Sequence, residues 1–400
     1  MKIAMITPGY LPVPAVNGGA VEILIQRLIE GNEKGEENTI DVYSNDNIAL
    51  DNYSYKNTNI IKVKISRYTQ VINGITNKLY QITKRKKWRT SYGREVIKRL
   101  RNKEYDFVVV HNNLMAYRDI YELTENKENL VYVLHNDINV NDENHVIIAK
   151  LIGRTAKKIL AVSNFSKNEF VKLTGNGNID VLYNCVKLEE YRDICDDQYI
   201  CRMKEEYGIA DSDFVFMFSG RIDIYKGVLE LIKAFKRLKY ENVKLLVVGK
   251  SWFDEGEGND SYSLEVEEQS REIKDRIVFT GFVKPEKMPF YYKMADCLVV
   301  PSIWEEPFGV VALEGMAAGL ALIVTDSGGL TEVIDDTCAF VVEKENDLIQ
   351  NLYQAMEKIY LEPIIVEKMK RNAISRVNSI SEFDSKNYYK YFCEKLEIHQ

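Results

Sequence analysis

The sequence of 400 residues lacks several features that would restrict its function at once. No apolar run reaches the ~18 residues of a membrane-spanning helix, and a strand pattern follows Met1-Lys2 directly, so we expect neither a transmembrane segment nor a signal peptide. The six cysteines form no C-x2-C pair, which argues against a zinc site and favours a reducing compartment. We find no short repeat and no low-complexity stretch.

Charge, length and the apolar pattern bear on the binding partner, the number of domains and the fold class. With 60 acidic and 53 basic residues, the formal net charge is −7, so the composition gives no sign of nucleic-acid binding. A chain of 400 residues is too long for one hydrophobic core, which predicts two domains. In both halves, short apolar strands are separated by segments of helix length. This alternation is typical of α/β domains, in which a parallel sheet carries helices on both faces.

The apolar pattern predicts thirteen strands and, in the first half, five helices. The strands are Ile3–Ile6, Ile40–Tyr43, Ile60–Ile65, Phe107–His111, Leu130–His135, Lys158–Val162, Ile179–Leu182, Phe214–Phe218, Lys244–Val248, Ile277–Phe279, Cys297–Val300, Ala321–Val324 and Ala339–Val342. The helices lie at about 20–31, 90–102, 114–125, 143–156 and 164–173. We therefore predict two Rossmann-like domains, residues 1–185 and 200–375, which face a central cleft. Residues 376–400 are predicted to end in an amphipathic helix.

Two carboxylates eight positions apart mark the strongest candidate site. Glu306 and Glu314 follow the strand pattern that ends at Val300, and Pro307 suits the first position of a helix, where its missing N–H leaves nothing unsatisfied. The backbone N–H groups at the start of that helix would have no acceptor within it, and these belong to Phe308, Gly309, Val310 and Val311. Such N–H groups form a binding site for phosphate. Hydroxyls of a nucleotide sugar could then bind both carboxylates. Such a pair also arises by chance on solvated surfaces, but the strand–loop–helix–strand context favours a ligand site.

Two strand-to-helix turns offer further phosphate contacts. Gly18 and Gly19 follow the first strand and precede a helix, although this loop is not G-x-G-x-x-G and could simply need positive φ. Arg221 and Lys226 follow the first strand of the second half, beside Gly227, where they could clamp a diphosphate. Basic residues elsewhere are more often surface charges. Their place at this turn makes these two candidates for the site.

Two of the four histidines, His111 and His135, each close an apolar strand. Both could be packed or capping side chains. Asn136 and Asp137 add polarity beside His135, so it is the stronger candidate for contact with a ligand.

The segment from Lys62 to Lys103 carries fourteen cations against the single anion Glu95. A charge run is usually a solvated face. This one is interleaved with apolar residues and suits anionic lipid headgroups or a polyanionic acceptor. Its densest part is Lys84, Arg85, Lys86, Lys87, Trp88 and Arg89.

Taken together, these segments resemble the GT-B retaining glycosyltransferases of family 4 along nearly the whole chain. The resemblance is carried by Asn17-Gly18-Gly19, His135, Ser163-Asn164-Phe165-Ser166, Tyr183-Asn184-Cys185-Val186, Gly220-Arg221, Lys226-Gly227, Thr280-Gly281-Phe282-Val283, Pro301-Ser302, Glu306 to Glu314, and Asp326-Ser327-Gly328-Gly329 with Glu332. The family's usual Asn-Gly-Val-Asp at the domain junction is Asn184-Cys185-Val186-Lys187 here.

The resemblance implies a role for each matching position. Arg221 and Lys226 would hold the donor diphosphate and stabilise its departing charge. His135 and Glu306 would contact the donor sugar, and Glu314 the ribose. Three further parts of the chain would contact the nucleotide sugar. The backbone N–H groups of Phe308 to Val311 would bind its distal phosphate or its sugar, and Phe282 and Val283 would line the pocket for its base. Gly18 and Gly19 would face its diphosphate. The first domain would bind the acceptor, and the C-terminal helix would cross back to it.

The implied activity is retaining transfer of a sugar from a nucleotide donor, UDP in preference to GDP. No metal or other cofactor is expected, and no Asp-x-Asp motif ends a strand. The acceptor would be a glycan or lipid-linked precursor of capsule, lipopolysaccharide or oligosaccharide, met on the cytoplasmic face of the membrane. Two alternatives stay open at this point. One is another GT-B enzyme, a sugar-nucleotide epimerase or a phosphorylase, and the other is a glycosyltransferase-like subunit without turnover.

Overall fold

The computed structural model describes residues 1–35, 38–83, 90–175, 177–194, 196–250 and 261–398. The chain divides into two compact units. Unit 1 comprises Met1–Asn184 and Lys386–Gln400, and unit 2 comprises Cys185–Ser385. No helix within the described ranges is both long and apolar enough to cross a bilayer.

Unit 1 is built on a parallel sheet of seven strands. They are β1 (Lys2–Ile6), β2 (Thr39–Asn45), β3 (Thr58–Val63), β4 (Phe107–His111), β5 (Leu130–Leu134), β6 (Lys158–Ala161) and β7 (Ile179–Val181). Their order is β3-β2-β1-β4-β5-β6-β7, so the order reverses between β1 and β4. Strands β4 and β5 are buried along their whole length, as expected for a sheet that is covered on both faces.

Helices cover this sheet, and side-chain caps fix several of their starts. The helices are α1 (Ala20–Gly35), α2 (Arg67–Thr83), α3 (Ser91–Leu100), α4 (Leu114–Leu123), α5 (Glu143–Thr155) and α6 (Asn164–Thr174), with short 3-10 helices at Ile48–Asn52 and Asn126–Asn129. Asn113, Asp142 and Ser163 cap α4, α5 and α6 through their side-chain oxygens. Helices α4 and α6 begin three residues after the strand that precedes them, whereas eight residues, 135–142, separate β5 from α5.

Unit 2 repeats this plan with six parallel strands. They are β8 (Phe214–Ser219), β9 (Val243–Val248), β10 (Ile277–Phe279), β11 (Cys297–Val300), β12 (Ala321–Thr325) and β13 (Ala339–Val342), in the order β10-β9-β8-β11-β12-β13. The order reverses between β8 and β11. Ligands of open α/β sheets bind in the crevice at such a switch point, outside the carboxyl ends of the strands.

An apolar core of unit 2 includes Phe216, Phe235 and Met356, and only some of the helices of this unit contribute to it. The helices of unit 2 are α7 (Leu188–Arg192), α8 (Asp197–Glu206), α9 (Val228–Phe235), α10 (Ser261–Ser270), α11 (Met288–Lys293), α12 (Val310–Ala318), α13 (Leu330–Val333), α14 (Leu348–Leu361) and α15 (Pro363–Ser379). Short 3-10 helices lie at Ile224–Lys226, Arg271–Ile273, Pro285–Lys287 and Ser381–Phe383. The last helix is α16 (Ser385–Lys395).

Residues 186–199, which lie between the two predicted domains, contain α7 and the start of α8 and belong to unit 2. The predicted boundary at residue 376 falls inside α15, and the chain passes to unit 1 only at Lys386. There the hydroxyl of Tyr389 donates to Asn32 Oδ1 at 2.7 Å and accepts from Asn38 Nδ2 at 2.8 Å. These bonds hold α16 against α1 and the residues that follow it within unit 1.

Candidate functional site

The loop after β8 brings Lys226 to the switch point of unit 2. Asp223 accepts hydrogen bonds from the backbone N–H groups of Tyr225 (3.0 Å) and Lys226 (3.1 Å), which forms a tight turn. Gly227 then adopts φ +68°, and a Cβ atom there would lie 2.0 Å from the carbonyl oxygen of Pro301. Only glycine permits this approach, so the two loops on either side of the switch point are in backbone contact.

The loop after β11 holds Glu306 in place from both sides. Its N–H donates to Ser327 Oγ (3.1 Å), and its C=O accepts from the N–H of Gly329 (2.7 Å). Ser302 donates to Glu306 Oε1 at 2.5 Å. Neighbouring loops therefore position the buried Glu306 carboxylate, which leaves the side chain little freedom.

Lys226 and Glu306 meet across the switch point. Lys226 Nζ lies 2.6 Å from Glu306 Oε1 and 5.3 Å from the centre of the Trp304 ring. Indole is the best aromatic partner for a cation. The ammonium is thus fixed by a carboxylate and a ring face, while 21 % of the Lys226 side chain stays exposed. The fold thus brings together Lys226 and Glu306, which were predicted separately as site residues. Sequence reasoning assigned no role to Trp304 or Ser302.

Arg221, the other predicted cation, takes a different position. Its side chain is half-exposed, and Nη2 lies 3.6 Å from Asp223 Oδ2. It starts the same turn as Lys226, at the carboxyl end of β8. The structure thus places both cations in one loop, and Lys226 is the one that pairs with Glu306 among the residues described.

The predicted helix start at Pro307 is wrong. Helix α12 begins at Val310, after Gly309 with φ +99°. A Cβ atom on Gly309 would lie 2.4 Å from Leu330 Cδ1, so the chain turns here, where a helical residue would not fit. The Phe308 side chain is buried, 6.0 Å from the ring of Phe383.

As a result, the first N–H groups of α12 belong to Val310 and Val311, which have no acceptor within the helix. The predicted donors Phe308 and Gly309 instead lie in the turn that leads into the helix.

Glu314 lies on α12 and is held by tyrosines that the sequence did not reveal. The hydroxyl of Tyr292 donates to Glu314 Oε2 at 2.7 Å, and Tyr191 also bonds the carboxylate. Burial raises the pKa of Glu314, and the two tyrosine bonds oppose that rise. A carboxylate has about four lone-pair sites, so two tyrosines leave capacity for ligand hydroxyls.

Three glycines end adjacent strands of the same sheet, and sequence reasoning gave no role to the middle one. Gly220, Gly249 and Gly281 follow β8, β9 and β10 with φ of +151°, +142° and +69°. The N–H of Gly249 donates to the carbonyl of Gly281 at 3.1 Å. A Cβ atom on Gly249 would lie 1.8 Å from the carbonyl oxygen of Gly220. This edge is therefore bare backbone, which a ligand could approach closely.

A cavity of about 220 Å³ in unit 2 contains the predicted base-pocket residues Phe282 and Val283. Phe282 is exposed, and Val283 is partly buried. Aromatic rings line the far side, where Tyr199 and Phe290 meet edge to face at 4.9 Å. Lys287 Nζ lies 5.4 Å from the centre of the Tyr199 ring. A flat aromatic ligand would fit such a lining by stacking.

In unit 1, Gly18 and Gly19 end the loop after β1 with φ of +75° and +98°. The loop does need positive φ, as one interpretation held. A Cβ atom on Gly19 would lie 2.3 Å from Oε2 of Glu22, which folds back over the start of α1. Burial raises the pKa of the Glu22 carboxyl.

His111 and His135 lie at the same edge of unit 1 and contact each other. His111 Nδ1 is 3.1 Å from His135 Nε2, and the rings stack with their centres 5.4 Å apart. Burial lowers the pKa of His135 to about 3 and also lowers that of His111. Both imidazoles are therefore neutral at physiological pH.

The predicted membrane or acceptor segment, residues 84–89, lies outside the described residues. On its N-terminal side, α2 exposes Tyr68, Val71 and Ile75. On its C-terminal side, Lys98 of α3 and Arg101, the residue after that helix, help line a groove of about 200 Å³. Within the described ranges, no three His, Cys, Asp or Glu side chains converge as metal ligands. Metal independence stays a prediction.

Sequence models of known protein families match this chain. The sequence model of the family described as Glycosyl transferases group 1 matches residues 201–376, and that of Glycosyltransferase Family 4 matches residues 62–190. The chain belongs to the family 4 glycosyltransferases. This confirms the resemblance of the motifs, and the enzyme is a transferase with the GT-B fold.

Individual proteins of similar sequence are also named as glycosyltransferases. This glycosyltransferase is 26 % identical to the putative glycosyltransferase YtcC of Bacillus subtilis over 96 % of its own chain and 89 % of that protein. It is 30 % identical to a lipopolysaccharide 1,2-N-acetylglucosaminetransferase of Salmonella typhimurium over 58 % of each chain. Its fold matches Anabaena HepE in complex with UDP-glucose, with a TM-score of 0.74, 19 % identity and 99 % of each chain covered.

Proposed function

We propose that this glycosyltransferase transfers a sugar from a UDP-sugar, with retention of anomeric configuration, to a membrane-associated or polysaccharide-precursor acceptor. The observation that carries the proposal is the Lys226–Glu306 pair at the switch point of unit 2, next to the first free N–H groups of α12. A cation, helix N–H donors and a buried carboxylate match the diphosphate and the sugar hydroxyls of such a donor.

The chemical work of the pair follows from where charge develops. When the glycosidic bond to the donor breaks, negative charge accumulates on the departing diphosphate. The Lys226 ammonium, already fixed by Glu306 and Trp304, stabilises that charge without reorganising. Arg221 at the start of the same loop adds a second cation.

Retention rests on the family and on what Glu306 already binds. Lys226 and Ser302 both engage Oε1 of Glu306, so this carboxylate suits hydrogen bonding to sugar hydroxyls better than nucleophilic attack. The two-carboxylate scheme of the glycosidases therefore does not apply. In the family, attack is usually described as same-face, with the leaving phosphate helping to take the acceptor proton.

UDP as the carrier is supported by the aromatic cavity of unit 2 and by the structural similarity to HepE, which was crystallised with UDP-glucose. Lys226 and Arg221 supply two positive charges from one loop for the diphosphate. We therefore propose a metal-independent enzyme, in which Lys226 and Arg221 take the place of a divalent cation on the diphosphate.

A membrane-associated acceptor is supported by unit 1. Helix α2 exposes Tyr68, Val71 and Ile75 next to the basic run of residues 84–89. Apolar side chains beside clustered cations suit the surface of an anionic bilayer. The Salmonella relative named for lipopolysaccharide acts on an acceptor of this general kind. We place the enzyme in the cytoplasm, peripheral to the inner face of the cell membrane.

A thermal-shift screen over nucleotide sugars tests the donor. A ligand at 100 times its dissociation constant stabilises the folded state by about 2.7 kcal/mol. We expect UDP-sugars to raise the melting temperature and GDP-sugars to leave it unchanged. The reverse pattern would refute UDP as the carrier. The anomeric configuration of the product, read by NMR, tests retention.

A matched pair of variants tests the site. Glu306→Ala should abolish transfer and leave the fold intact. Glu305→Ala changes the adjacent carboxylate, which is half-exposed and pairs with Lys344, and should keep full activity. Equal activity of the two variants would remove Glu306 from the site.

A further inference from the structure

The two histidines of unit 1 are joined by the topology of the sheet. Strands β4 and β5 are parallel neighbours in which His111 is opposite Val133, and His135 follows the last residue of β5. Asn112 Oδ1 accepts from the N–H of Asn136 at 3.2 Å, which ties the two strand ends together just beyond the histidines. The spacing of the two rings is therefore set by backbone, and rotation of either ring would break their contact.

Each imidazole uses one nitrogen for the other ring. His111 Nδ1 and His135 Nε2 are 3.1 Å apart, which is hydrogen-bond distance. The outer nitrogens, His111 Nε2 and His135 Nδ1, are buried and have no hydrogen-bond partner in the described part of the chain. An unpaired buried donor is costly, so these two atoms mark unused binding capacity.

Two proton arrangements are possible for such a neutral pair. In the first, His111 Nδ1–H donates to His135 Nε2, and His135 carries its proton on the outer Nδ1. In the second, His135 Nε2–H donates to His111 Nδ1, and His135 Nδ1 is a bare acceptor. Both arrangements leave one donor and one acceptor unpaired. Neither therefore satisfies more hydrogen bonds, and a partner at His135 Nδ1 would decide between them.

We propose that His111 is a positioning residue that fixes the ring orientation of His135 and couples the tautomers of the two rings, so that His135 Nδ1 can match a donor or an acceptor on the bound sugar. The proposal rests on the proposed function in one respect, the contact of His135 with the donor sugar. The coupling itself needs no ligand.

Two substitutions separate the hydrogen bond from the shape of the ring. His111→Asn places an amide where Nδ1 stands and can still donate to or accept from His135 Nε2. His111→Phe keeps a ring but removes the bond. His145→Asn changes a histidine on α5, outside the pair, and serves as the control.

The primary measurement is the tautomeric state of His135 by ¹⁵N NMR of the full chain with labelled histidine. The form with His111 Nδ1–H requires His135 Nδ1–H, and the form with His111 Nε2–H requires His135 Nε2–H. In the wild type we therefore expect equal Nδ1–H fractions in the two rings. In His111→Asn, whose amide can still donate or accept, the Nδ1–H fraction of His135 should stay close to that of the wild type, whereas in His111→Phe it should change. Unequal fractions in the two rings of the wild type, or the same fraction for His135 in all three proteins, would overturn the proposal. The comparison of the two rings uses the wild type alone, so it stands even where His111→Phe fails to fold.

Kinetics with UDP-glucose as the probe supply the second measurement. Loss of one hydrogen bond to a reacting-site group is worth about tenfold in rate. His111→Phe should lower kcat about tenfold with KM little changed, His111→Asn should recover most of the loss, and His145→Asn should match the wild type. Full activity of His135→Ala would refute the proposed contact of His135 with the sugar. If His135→Ala loses activity while His111→Phe keeps the wild-type kcat, only the positioning role of His111 is overturned.

Discussion

Lys226 Nζ and Glu306 Oε1 are 2.6 Å apart, and the two residues come from loops on opposite sides of the switch point of unit 2. Gly227 and Pro301 bring those loops into backbone contact, so the ion pair is a consequence of the fold and of one glycine. In this ion pair, Lys226 balances the charge of the buried Glu306 carboxylate, and the ammonium is held in place before a ligand binds.

This pair predicts a specific pattern of stability. Lys226→Met leaves the buried Glu306 carboxylate with Ser302 as its remaining partner and should cost about 2 kcal/mol, less than the ~3–5 kcal/mol of fully buried pairs. The double variant Lys226→Met/Glu306→Gln should recover much of that loss, because it removes both charges. Thermal melting of Lys226→Met, of Glu306→Gln and of the double variant gives the interaction energy of the two side chains. Additive losses would show that the two side chains do not interact, whereas transfer activity should be lost in all of them.

Gly249 carries a second prediction. Gly249→Ala combines φ +142° with a Cβ atom 1.8 Å from the carbonyl oxygen of Gly220, so strands β8 and β9 must separate at their ends. We expect a loss of at least about 3 kcal/mol, more than the ~1–2 kcal/mol of backbone strain alone. Gly208→Ala is the control, because it has φ +63° and no atom within 4 Å of the added Cβ. Similar melting temperatures for both variants would contradict the close approach.

The sheets were predictable from sequence because buried parallel strands read as short apolar runs. The limits of Phe107–His111, Ile277–Phe279, Cys297–Val300 and Ala339–Val342 agree with the structure residue for residue. Helix α2 was missed. Its sequence is rich in Thr, Asn and β-branched residues, which have weak helix propensity.

The site was only partly predictable, since its chemistry depends on contacts between distant segments. Motif positions identified Lys226 and Glu306, but nothing local indicates that Tyr292 donates to Glu314, 22 residues away. The predicted helix start at Pro307 was wrong for a similar reason, because Gly309 packs against Leu330 at the start of α13. Sequence patterns report local conformation, and these contacts are set by the tertiary fold.

Glu314 predicts a pH dependence of stability. Its pKa is raised above the ordinary 4.5, mainly by burial, so the folded state favours the protonated carboxyl. As pH rises above 4.5, the unfolded chain loses this proton first, and the folded state becomes relatively less stable until its own pKa is passed. Glu314→Gln lacks this contribution. Its melting temperature relative to the wild type should therefore rise between pH 4.5 and 7, and a constant difference across that range would contradict the raised pKa.

The tyrosine bond to Glu314 is tested separately. Tyr292→Phe removes the hydroxyl that donates to Oε2 and should cost about 1.5–3 kcal/mol at pH 7, the usual range for a hydrogen bond to a charged group. Near pH 4 the carboxyl is largely protonated and the cost should shrink. Melting curves at the two pH values measure the change. Tyr291→Phe is the neighbouring control, since that hydroxyl bonds Tyr207 and not Glu314.

The basic run of unit 1 carries the last prediction. Each cation near an anionic bilayer contributes about 1 kcal/mol of attraction, so changing residues 84–87 to Ala should weaken binding to vesicles of anionic lipid by at least about tenfold. Hydrolysis of the nucleotide-sugar donor should stay unchanged. The control replaces four exposed cations of unit 2, which are Lys239, Lys274, Lys368 and Arg371. It removes the same net charge, so equal losses in both variants would show a general charge effect, and unchanged binding in the first would return the run to a solvated face. A vesicle-flotation assay at low and high salt separates these outcomes, because screening weakens binding only where the cations carry it.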